Sequence, residues 1–288
     1  MATEADVGAR LTGLDALALA EQTRTPRTRT LWHATWPKVV AVAVVLLVWQ
    51  AAVWSHHWSS YVLYGPGPTL SYLKHLLTTA AFWDALGVTA RRALEGFLLA
   101  MAIGFVIGAA TARVAVLRSA LASLLTGLQS MPTIVWPLFG AMLLGLSNGA
   151  ILLVVVLGTS PFVARAVLAG FDQVPPILIR AGKVIGAQRL SLVRHVVLPA
   201  AFPSVVTALQ QGWAFTWRTL MTAEVLIPVA GGVGIGTKLD NAYSQQFFQV
   251  MMAYMIVILI VGMVVDAFFA RADRVVRERW GLVSSSSS

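Results

Sequence analysis

The 288 residues include no cysteine, which excludes disulfides, thiolate catalysis and cysteine metal sites. Charge is also scarce: Asp, Glu, Lys and Arg make up 11% of the chain, where an ordinary soluble domain has about a quarter. A soluble enzyme of this composition lacks the ionic surface that water requires. Residues 119–164 contain no charged side chain at all, and one helical span needs only about 20 apolar residues. That run must cross a bilayer twice. Catalytic signatures are missing as well. There is no His-Glu-x-x-His and no Gly-x-Ser-x-Gly, and the adjacent His56-His57 does not make a metal site. The first 36 residues contain Glu4, Asp6, Asp15 and Glu21 and no apolar core, which argues against a cleavable leader.

Hydrophobic residues make up 58% of the chain and mean hydropathy is +0.76. The pattern predicts an all-α polytopic membrane protein with six transmembrane helices, at about 37–57, 93–112, 121–144, 150–170, 198–227 and 246–268. The third and fourth are divided at Gly145-Leu146-Ser147-Asn148-Gly149, a turn-forming cluster. Residues 1–36 and 271–288 read as tails around a membrane domain at 37–270. Arg24–Thr30 reads as a disordered stretch touching lipid, and Ser284–Ser288 as low complexity. The outer stretch from Ser55 to Arg92 is broken by Tyr64-Gly65-Pro66-Gly67-Pro68, with a short interfacial helix expected from Leu70 to Leu77.

The net charge is +9. Most of the 21 Lys and Arg fall in alternate loops, among them Arg113, Arg118, Arg180, Lys183, Arg189, Arg194, Arg271 and Arg274. The positive-inside bias explains this distribution better than a nucleic-acid partner does. It places both termini in the cytoplasm and Arg91-Arg92 outside.

At about 1.5 Å rise per residue, the bilayer midplane falls on Gln129, Ser130 and Thr133 in the third span, on Thr159 and Ser160 in the fourth and on Gln210 and Gln211 in the fifth. Three spans turn polar at one depth, and irregular or polar segments there belong in a wet pathway. The bland alternative is bonding between helices. Trp213, Trp217, Leu220 and Glu224 share one face of the fifth span. Trp213 goes with the pathway, Trp217 and Glu224 with gating or packing. Arg218, on another face, would attract an anion or snorkel outward. Glu95 and Arg165 are expected to snorkel near helix ends, and Asp266 to pair with Arg271.

The longest inner loop, 171–197, predicts a helix from Ile177 to Arg194 in which Gly182 and Gly186, four residues apart, share a small face. Arg180-Ala181-Gly182, then Gly186, Val196 and Leu198-Pro199 keep the spacing of the cytoplasmic motif in permease subunits of ATP-binding-cassette importers. Ala200-Ala201-Phe202-Pro203, Trp217, Ala223-Glu224 and Gly232-Val233-Gly234 are also similar, and Pro132 and Pro137-Leu138 resemble the nitrate, sulfonate and taurine branch. The resemblance covers about 85–280. Arg180 departs from it, standing where the family has Glu.

The resemblance implies a subunit of a bacterial inner-membrane importer without catalysis or cofactor of its own. ATP and Mg would be held by a partner ATPase dimer docked on Arg180, Ala181, Gly182, Gly186 and Ala187. An external solute-binding protein would deliver a small polar, anionic solute, and a second permease would complete the pathway: a copy of this chain is the favoured reading, a different permease that keeps the family Glu the alternative. The nearest approach to a phosphate-binding loop, Gly231 to Gly236 followed by Thr237-Lys238, has its last pair reversed. The rival reading is a single-chain transporter coupling protons through Glu95, Glu224 and Asp266.

Overall fold

A computed structural model describes residues 27–229 and 232–279. Arg24, Ser284–Ser288 and most of the N-terminal tail lie outside the described residues. The chain forms two units, Met1–Pro66 and Gly67–Ser288. The first contains α1, Arg27–Trp54, which starts well ahead of the expected residue 37 and runs through Pro37. The Trp49 indole donates to the Tyr64 carbonyl at 3.0 Å within this unit.

α2 is Pro66–Leu76, starting four residues before the helix expected at Leu70–Leu77, with Pro66 in the first turn where its missing N–H is no loss. The long α3, Ala80–Arg113, starts 13 residues before the expected 93. Arg91 and Arg92 are therefore helical and not in an outer loop. The expected single span at 121–144 is also corrected. α4, Ala115–Ser130, and α5, Val135–Leu144, meet at 101°. Pro132 has no N–H and pushes Met131 into extended geometry (φ −68°, ψ 134°), so the helix stops there.

Gly145, at φ +63°, ends α5, and the Ser147 side chain accepts from the Ala150 amide to start α6, Asn148–Asp172. α7 is Pro176–Val184 and α8 the single turn Arg189–Leu192, which leads through a π-helical turn, Val193–Val197, into α9, Leu198–Leu226. The continuous helix expected from Ile177 to Arg194 is thus broken. α10, Ile235–Ser244, and α11, Phe248–Arg279, complete the second unit.

Four described helices, α1, α3, α6 and α11, are long and apolar enough to span a membrane, and a fifth is obtained if α4–α5 is one bent span. The expected six is not reached by that measure. α9 has the length, at 29 residues, but Gln210, Gln211, Arg218 and Glu224 dilute its apolarity.

α6 is the central post, packed against α3, α4, α5 and α9. Close approach of α3 depends on small residues spaced by four. A Cβ on Gly96 would come within 2.6 Å of Val155, and one on Gly104 within 2.6 Å of Val163 and 2.7 Å of the Ser160 carbonyl. Phe97, Ile151, Val154, Trp213, Leu220 and Tyr254 fill the core between these helices.

Candidate functional site

Charged side chains within the long helices fall into two groups. The first is a buried ion pair: Arg92 on α3 donates from Nη1 to Glu224 Oε1 on α9 at 2.8 Å, with side chains 1% and 0% exposed. Its remaining donors reach Asn148 Oδ1 at the start of α6 and, at 2.8 Å, the Gly232 carbonyl. Glu224 also accepts from Thr89 Oγ1 at 2.9 Å and from the Gly236 amide at 3.0 Å, while the Ile235 amide donates to Thr89 Oγ1. Removing two ions from water costs several kcal/mol each unless their polar atoms are partnered, and here each guanidinium nitrogen and each carboxylate oxygen has at least one hydrogen bond. The near-miss phosphate loop thus has a different use. Its glycines fold over a carboxylate, and a Cβ on Gly234 would overlap it.

The second group is exposed. Arg165 on α6, Arg218 on α9 and Asp266 on α11 are all exposed and have no ionic partner among the described residues. Arg165, in the helix interior and not at an end, donates to Thr126 Oγ1 and Gln129 Oε1, each at 3.2 Å. Arg218 has its guanidinium carbon 5.7 Å from the Phe215 ring centroid, and Phe215 stacks on Phe162 at 4.4 Å. Asp266 is not paired with Arg271; the nearby carboxylate with a partner is Asp273, bonded to Arg277 at 2.9 Å.

Two cavities lie among these helices. One of about 530 Å³ lies between α9 and α11, lined by Trp213, Trp217, Arg218 and Asp266. One of about 270 Å³ is lined by Gln173, Ser204, Thr207, Gln211 and Arg277.

The expected pathway residues divide between open and packed positions. Gln211 is exposed in the smaller cavity, and Ser130 and Thr133 are exposed at the α4–α5 break. Gln129 joins the helices, donating to the Pro161 carbonyl at 3.0 Å while accepting from Arg165. Thr159 and Ser160 are buried, the former 3.3 Å from Thr216 Oγ1, so they sit in helix packing. Gln210 is half-buried on another face of α9. Trp213 is buried between Phe97 and Phe269, and its indole nitrogen has no partner among the described residues.

The inner loop differs from expectation in its glycines. Gly182 is buried, and a Cβ there would meet Leu192 at 2.7 Å and Val196 at 2.9 Å, so its smallness serves packing within the chain. Gly186 lies beyond the end of α7 at φ +87°, where the Gly186 amide bonds to the Lys183 carbonyl and the Ala187 amide to that of Gly182. This is the Schellman termination, with glycine in the left-handed position. The two glycines therefore do not share a helix face. The turn leaves Val184 86% and Ile185 83% exposed beside Arg180 and Ala181, also exposed.

Four long apolar helices, with a fifth if α4–α5 is one bent span, make this a polytopic membrane domain. Residues 100–279 match the model of the binding-protein-dependent transport system inner membrane component, and the chain belongs to that family of ATP-binding-cassette importer permeases. It is 28% identical over 254 residues to the nitrate import permease protein NrtB of Synechocystis, covering 83% of this chain and 90% of the relative. It is 26% identical to the taurine transport system permease protein TauC of Escherichia coli, covering 78% and 82%. The fold matches that of a bacterial transporter importing the acidic polysaccharide alginate, with TM-score 0.60 and 14% identity over 86% of this chain and 96% of that one. The chain is therefore a multi-pass inner-membrane importer permease and not a single-chain secondary transporter. Its geometry agrees: Glu224 is locked on Arg92, and exposed Glu95 faces Arg91 at 3.6 Å.

Proposed function

We propose that two copies of this chain enclose a pathway between them and admit a small, negatively charged solute from an external solute-binding protein. The observation that carries this reading is that Arg165, Arg218 and Asp266 are exposed within the long helices α6, α9 and α11, with Arg218 and Asp266 lining one cavity. Charges in lipid cost several kcal/mol and mark wet paths, so these positions face the pathway. Gln211, Ser130 and Thr133 line the same route, and the two arginines favour an anionic group. The subunit has no catalysis of its own. ATP and Mg belong to a cytoplasmic ATPase dimer that docks on 177–187, where Val184 and Ile185 need cover. Tails 1–36 and 271–288 lie on the ATPase side. The alginate transporter has been crystallised with its solute-bound periplasmic protein, which supports the same division of labour here.

The test is co-purification with the cognate ATPase. Gly186→Leu forces a β-carbon into left-handed backbone, about 1–2 kcal/mol of strain, and should weaken ATPase association roughly five- to thirtyfold. Gly186→Asn, a residue that tolerates this conformation, should retain it. Equal binding by both variants and by Ile185→Asp would remove the docking assignment.

A further inference from the structure

Residues 173–197 contain Arg180, Lys183, Arg189 and Arg194 but no Asp or Glu. The carboxylate just upstream, Asp172, is already bonded to Arg118. Arg180 and Lys183 are exposed and have no ionic partner among the described residues.

The packing of α7 fixes where Arg180 points. The helix rests mainly on α8 and the π turn, and Gly182 is on its inward side, facing Leu192 and Val196. At 3.6 residues per turn, Arg180 lies about 160° around the helix from Gly182, in the middle of the outward face. Ile177 and Val184, one turn before and one turn after it, are exposed on the same face. The outward face is therefore an apolar strip with a guanidinium at its centre.

A surface that covers Ile177, Val184 and Ile185 must also cover Arg180. A guanidinium taken out of water without a counter-charge is strongly unfavourable, and its planar fork is matched by a carboxylate. A wholly apolar groove would reject this helix, and a groove complementary to the family's Glu at this position would meet the wrong sign. A bilayer surface suits it less well, because a helix lying on lipid keeps its cations on the polar face and not in the middle of the apolar one.

We propose that Arg180 selects the partner ATPase: the groove that receives α7 presents an Asp or Glu to it, and an ATPase without that carboxylate is refused. The proposal rests on the importer reading and names the chemistry of its docking surface.

The probe is the ATPase that co-purifies with the parent chain, titrated onto the permease in lipid nanodiscs. Arg180→Glu should weaken binding about a hundredfold or more, because like charges then meet inside the contact. Arg180→Met, of similar length but apolar, should lose roughly thirtyfold by leaving the partner's carboxylate unpaired. Arg180→Lys keeps the charge without the fork and should stay within about tenfold of the parent. All three variants should keep the parent's thermal midpoint, which separates lost binding from lost folding.

Arg180→Met binding as tightly as the parent would reveal an apolar groove and overturn the proposal. Val184→Cys, in this cysteine-free background, should be shielded from a hydrophilic maleimide by the ATPase and not by phosphatidylglycerol in the nanodisc. Shielding by the lipid alone would assign the face to the membrane and overturn the proposal too. If the parent recovers no ATPase, the importer reading falls; if one ATPase binds the parent and all three variants alike, only the carboxylate groove falls.

Discussion

At the scale of residues, the most demanding contact is Arg92 with Glu224. The partners of the pair come from three parts of the chain: Thr89 on α3, Asn148 on α6, and Gly232 and Gly236 around the start of α10. Glu224→Gln leaves a buried guanidinium without its counter-ion, which typically costs 3–5 kcal/mol. The thermal midpoint of the detergent-purified protein should fall sharply. An Arg92→Met/Glu224→Leu double variant should recover much of the loss, because apolar replacement of a whole buried pair is often near neutral. A Glu224→Gln protein as stable as the parent would show that the pair contributes little.

Glu224 stood out in the sequence as a charge in a span, but Arg92 did not, since it was counted with an outer loop. The signal was present in the spacing of Ala85, Thr89, Arg92, Gly96 and Ala100, which continues one helical stripe upstream of 93. Gly186 shows the converse. Its spacing marked a position where the backbone does call for glycine, but whether that glycine serves a shared face or a left-handed turn depends on where the helix stops, and spacing does not settle that.

Among the elements, α3 and α6 depend on the absence of side chains. Gly104→Leu would drive carbon into Val163 and into the Ser160 carbonyl, and backbone cannot retreat as a flexible side-chain tip can. The overpacking penalty of about 1–3 kcal/mol or more predicts poor recovery of monodisperse protein by size exclusion. Gly127→Leu, with nothing within 4 Å of the added carbon, is the matched control and should behave as the parent. Equal yields of the two would contradict the packing described.

Helix existence was legible here from apolar length, and the ends at Pro132 and Gly145 from residue type. The 101° bend was not, because proline marks a break without fixing its direction. The short α7, α8 and π turn were read as one helix for a similar reason: π turns carry no periodicity of their own.

For the whole molecule, the balance of basic residues predicts the orientation, with α2 expected on the side opposite the 171–197 loop. A cysteine at Ser71, exposed on α2, should react with a membrane-impermeant maleimide added from outside intact cells. Labelling only after the cytoplasmic face is opened would invert the topology.

The length of α3 has a mechanical consequence. At 34 residues it extends about 51 Å, some 20 Å more than the hydrocarbon layer. Arg92 is pinned by its ion pair, and Arg113 lies 21 residues further along, a lever arm of about 32 Å. A rotation of only ~10° about that fulcrum sweeps the far end through roughly 5 Å, one helical turn. Because Gly96 and Gly104 hold α3 against α6 between those two points, a tilt about the ion pair would carry both helices together.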